Sequence, residues 1–285
     1  MKFPAFEYAA PTSVAEAVAL LAAGKGGAKA LAGGQSLLPT MAFRLARPSM
    51  LVDLRKLGEL TRVTLGADGA RLGARVRWRD IEDNAALAVA QPLLAAAVEH
   101  VAHYQIRNRG TIGGSLALAD PAAELPACAV ALDAALVLAG RAGERRVAAR
   151  DFFKGLFETD LGPGELIVAV EVPPRPAGER TAFHELARRH GDYAIVGLAA
   201  CATVGRGHID AARLVYFGAG TRPVVAGGAS AALTGTAGDV AALTRARAAL
   251  ADELDPPADL NASPAMRRHL AQVLLGRAVG DLLAA

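Results

Sequence analysis

Apolar and polar positions alternate in two rhythms along the chain. Residues 14–23, VAEAVALLAA, carry apolar side chains at helical spacing behind Ser13, and Glu16 completes a capping-box pattern; Gly24 ends the segment. The runs AKAL (28–31) and MLVDL (50–54) are too short for helices and predict buried strands. RVTLGADGARLGA (62–74) predicts a hairpin around Asp68 and Gly69. Residues 79–101 predict helix, with Pro92 opening a second one. Strands are expected at 135–139 and in ELIVAVEVP (165–173).

VPPRPAGER (172–180) then breaks both rhythms, because closely spaced prolines and a glycine resist helix and strand alike. Beyond it, TAFHELARR (181–189), YAIVGLAACATV (193–204) and AARLVYFGAG (211–220) read as strands of one antiparallel sheet. Residues 238–252, and 264–283 after Ser263, read as helices. Strands and helices mix without a regular βαβ alternation, so the fold class expected is α+β.

Composition narrows the function classes. At 285 residues and 53% hydrophobic, the chain has material for a large core and for two domains. A formal charge of +3, with scattered basic residues and no aromatic-basic stripe, does not point to nucleic acid. The two cysteines, Cys128 and Cys201, lie in apolar runs and read as buried thiols. They cannot supply the four thiolates of an iron–sulfur cluster. The start lacks the apolar centre of a signal peptide, and Asp133, Arg141 or Gly205 interrupts each apolar run before the roughly 20 residues of a membrane span. A reduced, cytoplasmic protein without a transmembrane segment is expected.

The candidate chemistry lies in two glycine-rich stretches, KALAGGQSLLPTM (29–41) and RGTIGGSLALADPAAELPA (109–127). Neither is GxGxxG nor the GxxxxGK[ST] phosphate loop. A glycine pair after a strand serves equally as a plain turn requiring positive φ. Two such pairs also fit a second use, in which bare main chain lets consecutive amides converge on one anion. A diphosphate then meets amides of Gly33 to Ser36 from one side and of Gly113 and Gly114 from the other. Ser36, Thr111 and Ser115 add hydroxyls, while Asp120 and Glu124 are acceptors for ribose hydroxyls or else surface and capping groups near Pro121.

Other residues suggest structural roles. His100 and His103 read as helix-end histidines, since a metal needs further ligands beside them. Arg107 and Arg109 read as salt-bridge or partner-contact residues, with anion steering as the other reading. The acidic ADELDPPAD (251–259) reads as a solvated turn and Trp78 as a core residue. No general base, nucleophile or metal ligand is expected.

AGGQSLLP (32–39), QIRNRGTIGGSLALADPAAELP (105–126) and GDYAIVGLAA (191–200), in this order, resemble the FAD-binding medium subunits of molybdenum hydroxylases. That family includes carbon monoxide dehydrogenase, N-heterocycle hydroxylases and the flavin domain of xanthine dehydrogenase, and the similarity runs nearly end to end. The resemblance implies a two-part FAD-binding fold similar to the vanillyl-alcohol oxidase type over residues 1–176, with subparts of about 1–55 and 56–176. A C-terminal α+β flavoprotein domain of the carbon monoxide dehydrogenase type, over 177–285, closes over the flavin. It implies a diphosphate loop of Ala32, Gly33, Gly34, Gln35, Ser36 and Leu37. Thr111, Gly114 and Ser115 belong to the second loop, with Ala117, Asp120 and Glu124 toward the ribose and adenine. Val101, Ala102 and Ile106 match apolar positions near the flavin, Leu161 an apolar contact in the adenine region, and Tyr193 the aromatic position beside the ring.

The same resemblance implies an electron-transfer role. Substrate is oxidised at a molybdopterin centre on a large subunit. Electrons pass through the 2Fe–2S clusters of a small subunit to FAD here, then to an external acceptor such as a quinone, NAD, oxygen or a carrier protein. The assembly expected is a dimer of heterotrimers. Gln35 and Tyr193 stand where some relatives resembling carbon monoxide dehydrogenase have histidine and tryptophan, which favours an N-heterocycle or aldehyde hydroxylase as parent enzyme. His184 and Glu185 occupy a region where some members bring a lysine to the flavin. The rival readings are a stand-alone flavin oxidase, with His184 as its candidate base, and a flavin-free assembly module.

Overall fold

The computed structural model describes residues 3–284. It opens with β1 (Glu7–Ala9), α1 (Val14–Ala23), β2 (Ala28–Leu31), α2 (Leu37–Ala42) and β3 (Met50–Asp53). The strands form a parallel sheet in the order β1-β3-β2. Ser13 caps α1 by accepting from the Glu16 amide at 3.2 Å. The expected capping box closes one residue early, however: the Glu16 carboxylate takes the amide of Thr12 at 2.7 Å and its hydroxyl at 3.2 Å.

The middle of the chain comprises β4 (Val63–Gly66), β5 (Gly69–Gly73), α3 (Trp78–Glu82), α4 (Ala85–Ala90), α5 (Pro92–Val98), α6 (Tyr104–Arg107), α7 (Ile112–Leu118) and α8 (Glu124–Ala131). It continues with β6 (Ala135–Gly140), β7 (Gly143–Ala148), α9 (Ala149–Phe152), β8 (Phe153–Gly155), β9 (Glu158–Thr159) and β10 (Leu166–Val172). The hairpin falls where predicted, with Ala67 and Asp68 as its turn and Gly69 already in β5 at φ +105°. The helical stretch expected over 79–101, with a second helix from Pro92, is three short helices, because the part before Pro92 is itself broken in two. Asn84 starts α4 by accepting from the Leu87 amide at 3.0 Å, and Pro92 sits in the first turn of α5. Strand β7 was not predicted: it is a polar edge strand without alternating apolar residues, held by pairs such as Arg146 with Glu171 at 2.7 Å.

The five-stranded antiparallel sheet runs β4-β5-β10-β6-β7. Its central strand β10 is buried on both faces, hence the unbroken apolar run LIVAV. One face meets α1 through Val137, Ala139 and Val168; the other meets helices α3 to α8 through Leu136, Leu138 and Val170. Helix α8 is buried along its whole length, Glu124 included.

The last third holds β11 (Glu179–Leu186), β12 (Val196–Gly205), β13 (His208–Phe217), β14 (Val224–Val225), α10 (Gly227–Leu233), α11 (Val240–Glu253) and α12 (Pro264–Ala284). The strands make an antiparallel sheet in chain order. Strand β12 starts at Val196, so Tyr193 lies in the preceding loop and not in the strand expected from 193. Alternation along β12 sends Ala199 and Cys201 into the central core, and Leu198 and Ala200 toward α10, α11 and α12. Both cysteines are free and buried. Among the described residues, no helix is long and apolar enough to cross a membrane.

Candidate functional site

The two glycine stretches touch. Strand β2 ends at Leu31, residues 32–36 turn, and α2 begins at Leu37. Gly34 lies at φ +72°, the left-handed region that glycine enters without cost. A Cβ on Gly33 would overlap the main-chain carbonyl of Arg109, so its bareness lets one loop rest on the other.

Gln35 Nε2 donates to the Gly33 carbonyl at 2.9 Å, bracing the turn. The Ser36 hydroxyl makes no capping bond to α2. Among the described residues, the amides of Gly33, Gly34, Gln35 and Ser36 find no hydrogen-bond partner in the chain, although the loop is half-buried. Consecutive unmet donors of this kind are expensive unless water or a ligand accepts from them.

The second stretch is built differently. Thr111 caps α7, its Oγ1 accepting from the Gly114 amide at 3.2 Å. The Ile112 and Gly113 amides donate to the carbonyls of Val76 at 3.0 Å and Ala74 at 2.9 Å. A Cβ on Gly113 would come within 2.6 Å of the Ala74 Cβ, so this glycine serves close packing. Apart from its chain neighbours and the backbone of its own helix, a Cβ on Gly114 would meet, among the described residues, Thr111 Oγ1 alone, at 2.9 Å; beyond it the space is open. The amides of this loop, expected to meet an anion, are thus taken by the protein itself. What remains is the open face of Gly114 and the half-buried Ser115.

Helix α7 stops at Ala119, which is left-handed at φ +53°. Asp120 follows and accepts from the Ala122 amide at 2.9 Å; burial raises its pKa. Glu124 opens α8 with 8% of its surface exposed, and its carboxyl takes a hydrogen bond from its own backbone amide; burial, with Asp120 nearby, pushes it up to about 7. The Pro121 carbonyl accepts from the Gly218 amide at 2.7 Å. Gly218 is in turn bound by the buried Arg267, which also donates to the Ile195 carbonyl and pairs with Asp259 at 2.6 Å.

The apolar positions expected near a flavin form a turn. Val101 is buried, and Ala102 is left-handed at φ +45°. Arg107 holds this turn, donating to the Val101 and Ala102 carbonyls at 3.2 and 3.0 Å and pairing with Glu82 at 3.1 Å. Ile106 is half-buried beside it and Arg109 is exposed. A Cβ on Gly191 would stand 2.6 Å from the Ala102 carbonyl oxygen, so the β11–β12 loop that carries Tyr193 rests on the same turn. Tyr193 is open to solvent at its rim, yet neighbouring protein, then the Asp120 and Glu124 carboxylates, raise its pKa. These charges place Tyr193, Asp120 and Glu124 in one neighbourhood.

Ala32 and Leu37 flank the first loop half-buried, and Ala117 is exposed on α7. Leu161 lies after β9, packed partly against the central core; its amide donates to Thr159 Oγ1. No bond ties it to either glycine loop among the described residues.

Several contributors escaped the sequence reading. Arg267 lies in a helix far from every motif, and the Glu82–Arg107 pair spans two helices. Glu185 was noted only for lacking a positive charge. None carries a local pattern, because each is defined by a partner distant in sequence. Two acids of the 251–259 turn serve structure: Glu253 accepts from the Ala229 amide at 3.2 Å, and Asp259 takes Arg267. His100 packs its ring 5.1 Å from Phe183. A surface concavity of about 410 Å³, lined by Arg150, Phe153, Arg222 and Glu253, does not include the glycine loops.

Comparison with known proteins bears on this arrangement. Residues 4–175 match the family described as the FAD binding domain in molybdopterin dehydrogenase, and residues 181–282 match the CO dehydrogenase flavoprotein C-terminal domain. The chain is 39% identical to the 6-hydroxypseudooxynicotine dehydrogenase complex subunit alpha of Paenarthrobacter nicotinovorans, covering 99% of this chain and 96% of that one. Its fold superposes on quinoline 2-oxidoreductase from Pseudomonas putida 86 with TM-score 0.95 at 40% identity, covering 100% of this chain and 99% of that one. Reconstituted CO dehydrogenase from Oligotropha carboxidovorans matches with TM-score 0.97 at 37% identity, over 100% and 99% of the two chains. The chain therefore belongs to the FAD-binding subunits of molybdopterin-dependent dehydrogenases and is an oxidoreductase component.

Proposed function

We propose that this chain, as a member of that family, carries FAD between the 2Fe–2S clusters of a small partner subunit and an external electron acceptor. Substrate oxidation belongs to a large molybdopterin-binding subunit. The observation that carries the reading is the row of unmet amides from Gly33 to Ser36, set against the start of α7. It matches what an FAD diphosphate requires: several donors on one side and no bulk in the way.

The residues divide the work. Gly33, Gly34, Gln35 and Ser36 donate main-chain N–H groups to the diphosphate, with Ala32 and Leu37 flanking them. Gly114 leaves room, and Thr111 and Ser115 offer hydroxyl donors. Asp120 and Glu124 accept from ribose hydroxyls, and Ala117 and Leu161 border that end. Val101, Ala102, Ile106 and Tyr193 would border the isoalloxazine, the Val101–Ala102 turn being held by Arg107 and touched by the β11–β12 loop that carries Tyr193. When bound, FAD supplies the ability to accept electrons singly and release them in pairs. The chain itself moves no covalent bond, and no residue of it is assigned an acid–base or nucleophilic part. We divide it into a cofactor-binding domain, 1–176, with subparts of about 1–55 and 56–176, and a closing domain, 177–285.

The parent enzyme in this reading is an N-heterocycle or aldehyde hydroxylase, assembled as a dimer of heterotrimers in the cytoplasm. Gln35 and Tyr193 favour this substrate class, as do relatives named for nicotine and quinoline derivatives. Two free, buried thiols fit a reducing compartment. Native co-purification tests the assembly: a molybdenum subunit and an iron–sulfur subunit should accompany stoichiometric flavin. A chain that is isolated alone, and colourless after incubation with FAD, would overturn the proposal.

A further inference from the structure

Strand β11 brings a carboxyl to the same junction. Phe183 and Glu185 share one face of β11, and His184 takes the other, where its Nε2 lies 2.8 Å from Asp281. Phe183 fixes which face is which: its ring stacks on Phe217 with centroids 5.6 Å apart and packs against the central core. Glu185 therefore faces α5 and α8, the side of the cofactor-binding domain.

Its Oε2 is fully buried and has no hydrogen-bond partner. Gly197 stands opposite it on β12, and the Phe217 ring fills the space where a Gly197 side chain would be, so no polar group approaches from there. The carboxyl that Glu185 feels is Glu124 on α8, which is itself buried and takes a hydrogen bond from its own backbone amide. No lysine or arginine bonds to either one among the described residues. A carboxyl buried without a cation and with a second carboxyl near it resists ionisation.

We propose that Glu185 is a further FAD-binding residue, held as a neutral carboxylic acid that keeps its proton and donates a hydrogen bond to the cofactor, so that FAD retention falls on alkalinisation. This rests on the cofactor reading above. The remaining titratable groups around the pair fit it. Cys128, one turn beyond Glu124 on α8, and Cys201 on β12 are buried thiols with raised pKa values. Asp120 and Tyr193, from the loops, are raised as well. His100, before α6, is held down by burial, then by His190 and His184, so it brings no positive charge at neutral pH. His184 and Asp281 lie across the sheet.

Burial, then Glu124, pushes the Glu185 carboxyl up to about 8 from a usual 4.5. The raised value means that the acid is neutral, and can donate, below about 8. Above that it becomes an anion facing a cofactor that carries a diphosphate.

FAD titration of the full-length apoprotein, followed by flavin fluorescence from slightly acidic to alkaline pH, tests the proposal. In the wild type the Kd should be flat in the acidic limb and rise about tenfold per pH unit beyond the Glu185 transition, as loss of one linked proton demands. Glu185→Gln keeps a neutral donor, so its Kd should match wild type at low pH and stay flat on the alkaline side. Glu185→Ala, lacking the donor, should bind about tenfold more weakly at low pH. Infrared spectra of the apoprotein should show a carboxylic acid carbonyl band that Glu185→Gln removes. Parallel pH profiles in wild type and Glu185→Gln, or a band unaffected by the substitution, would overturn the role of Glu185 and leave the cofactor reading standing. Failure of the wild type to bind FAD at any pH would instead overturn the cofactor reading.

Discussion

The two glycine loops look alike in sequence and work in opposite ways. In the first, Gly33 and Gly34 give up side chains so that the turn can rest on the Arg109 carbonyl and enter the left-handed region, and the loop amides stay unspent. In the second, Gly113 gives up its side chain to seat α7 against Ala74, and its amides are consumed by Ala74, Val76 and Thr111. Only Gly114 there faces open space. The contrast shows that a glycine pair marks close approach, while its partner can be the protein as readily as a ligand. The first loop is a set of donors and the second a rigid wall carrying hydroxyls.

The sharpest test replaces the glycine that keeps the two loops together. Gly33→Val drives a branched side chain into main-chain atoms of Arg109, which cannot swing away. Stability should fall by about 3 kcal/mol, and FAD should be lost with it. Thermal melting of the apoprotein checks this, and an unchanged melt would show that the loops are not in contact. Gly114→Val should separate the two effects. Its clash within the chain is with the rotatable Thr111 hydroxyl, worth a helix cap of about 1 kcal/mol. FAD affinity should nevertheless drop about 100-fold, the equivalent of one strong charge-assisted phosphate bond. If Gly114→Val melts like Gly33→Val, the contrast between the loops is wrong.

Smaller effects refine the comparison. Ser36→Ala and Ser115→Ala each remove one hydroxyl and should weaken FAD binding by about tenfold, measured by flavin titration, without moving the melt. Arg109→Ala should change stability by less than about 0.5 kcal/mol, because Gly33 rests on the main chain of Arg109 and not on its exposed side chain. A large loss there would mean that the guanidinium, not the carbonyl, organises the junction.

Much of this architecture was readable before any coordinates. The Ser13 cap, the strands β2, β3 and β10, the hairpin and the proline-rich break all stand where local physics put them. Long apolar runs and capping residues act within a few positions, so their signal is local. In the helical region after residue 78, Pro92 opens a helix as expected, but the break at Asn84 was missed because apolar content continues across it. Tyr193 was placed in a strand because its neighbours are apolar, yet Gly191 at φ +83° keeps that segment in a turn against Ala102. The candidate site was legible as two bare loops and two acids. Arg107 was read as a salt-bridge residue and is one, but its partner Glu82 was not legible, nor were Arg267 and Glu185, since nothing beside them in sequence reveals their partners.

The amino-acid order alone determined where the main chain would be bare, which segments would be apolar enough to bury, and that the thiols were too few for iron–sulfur chemistry. The tertiary structure alone decided which bare loop keeps its amides free and which buried acid keeps its proton. An amide is satisfied by whichever carbonyl the fold brings within about 3 Å, and a carboxyl is neutralised by whatever surrounds it. Here those neighbours are Ala74, Val76 and Glu124, each supplied by a different part of the chain.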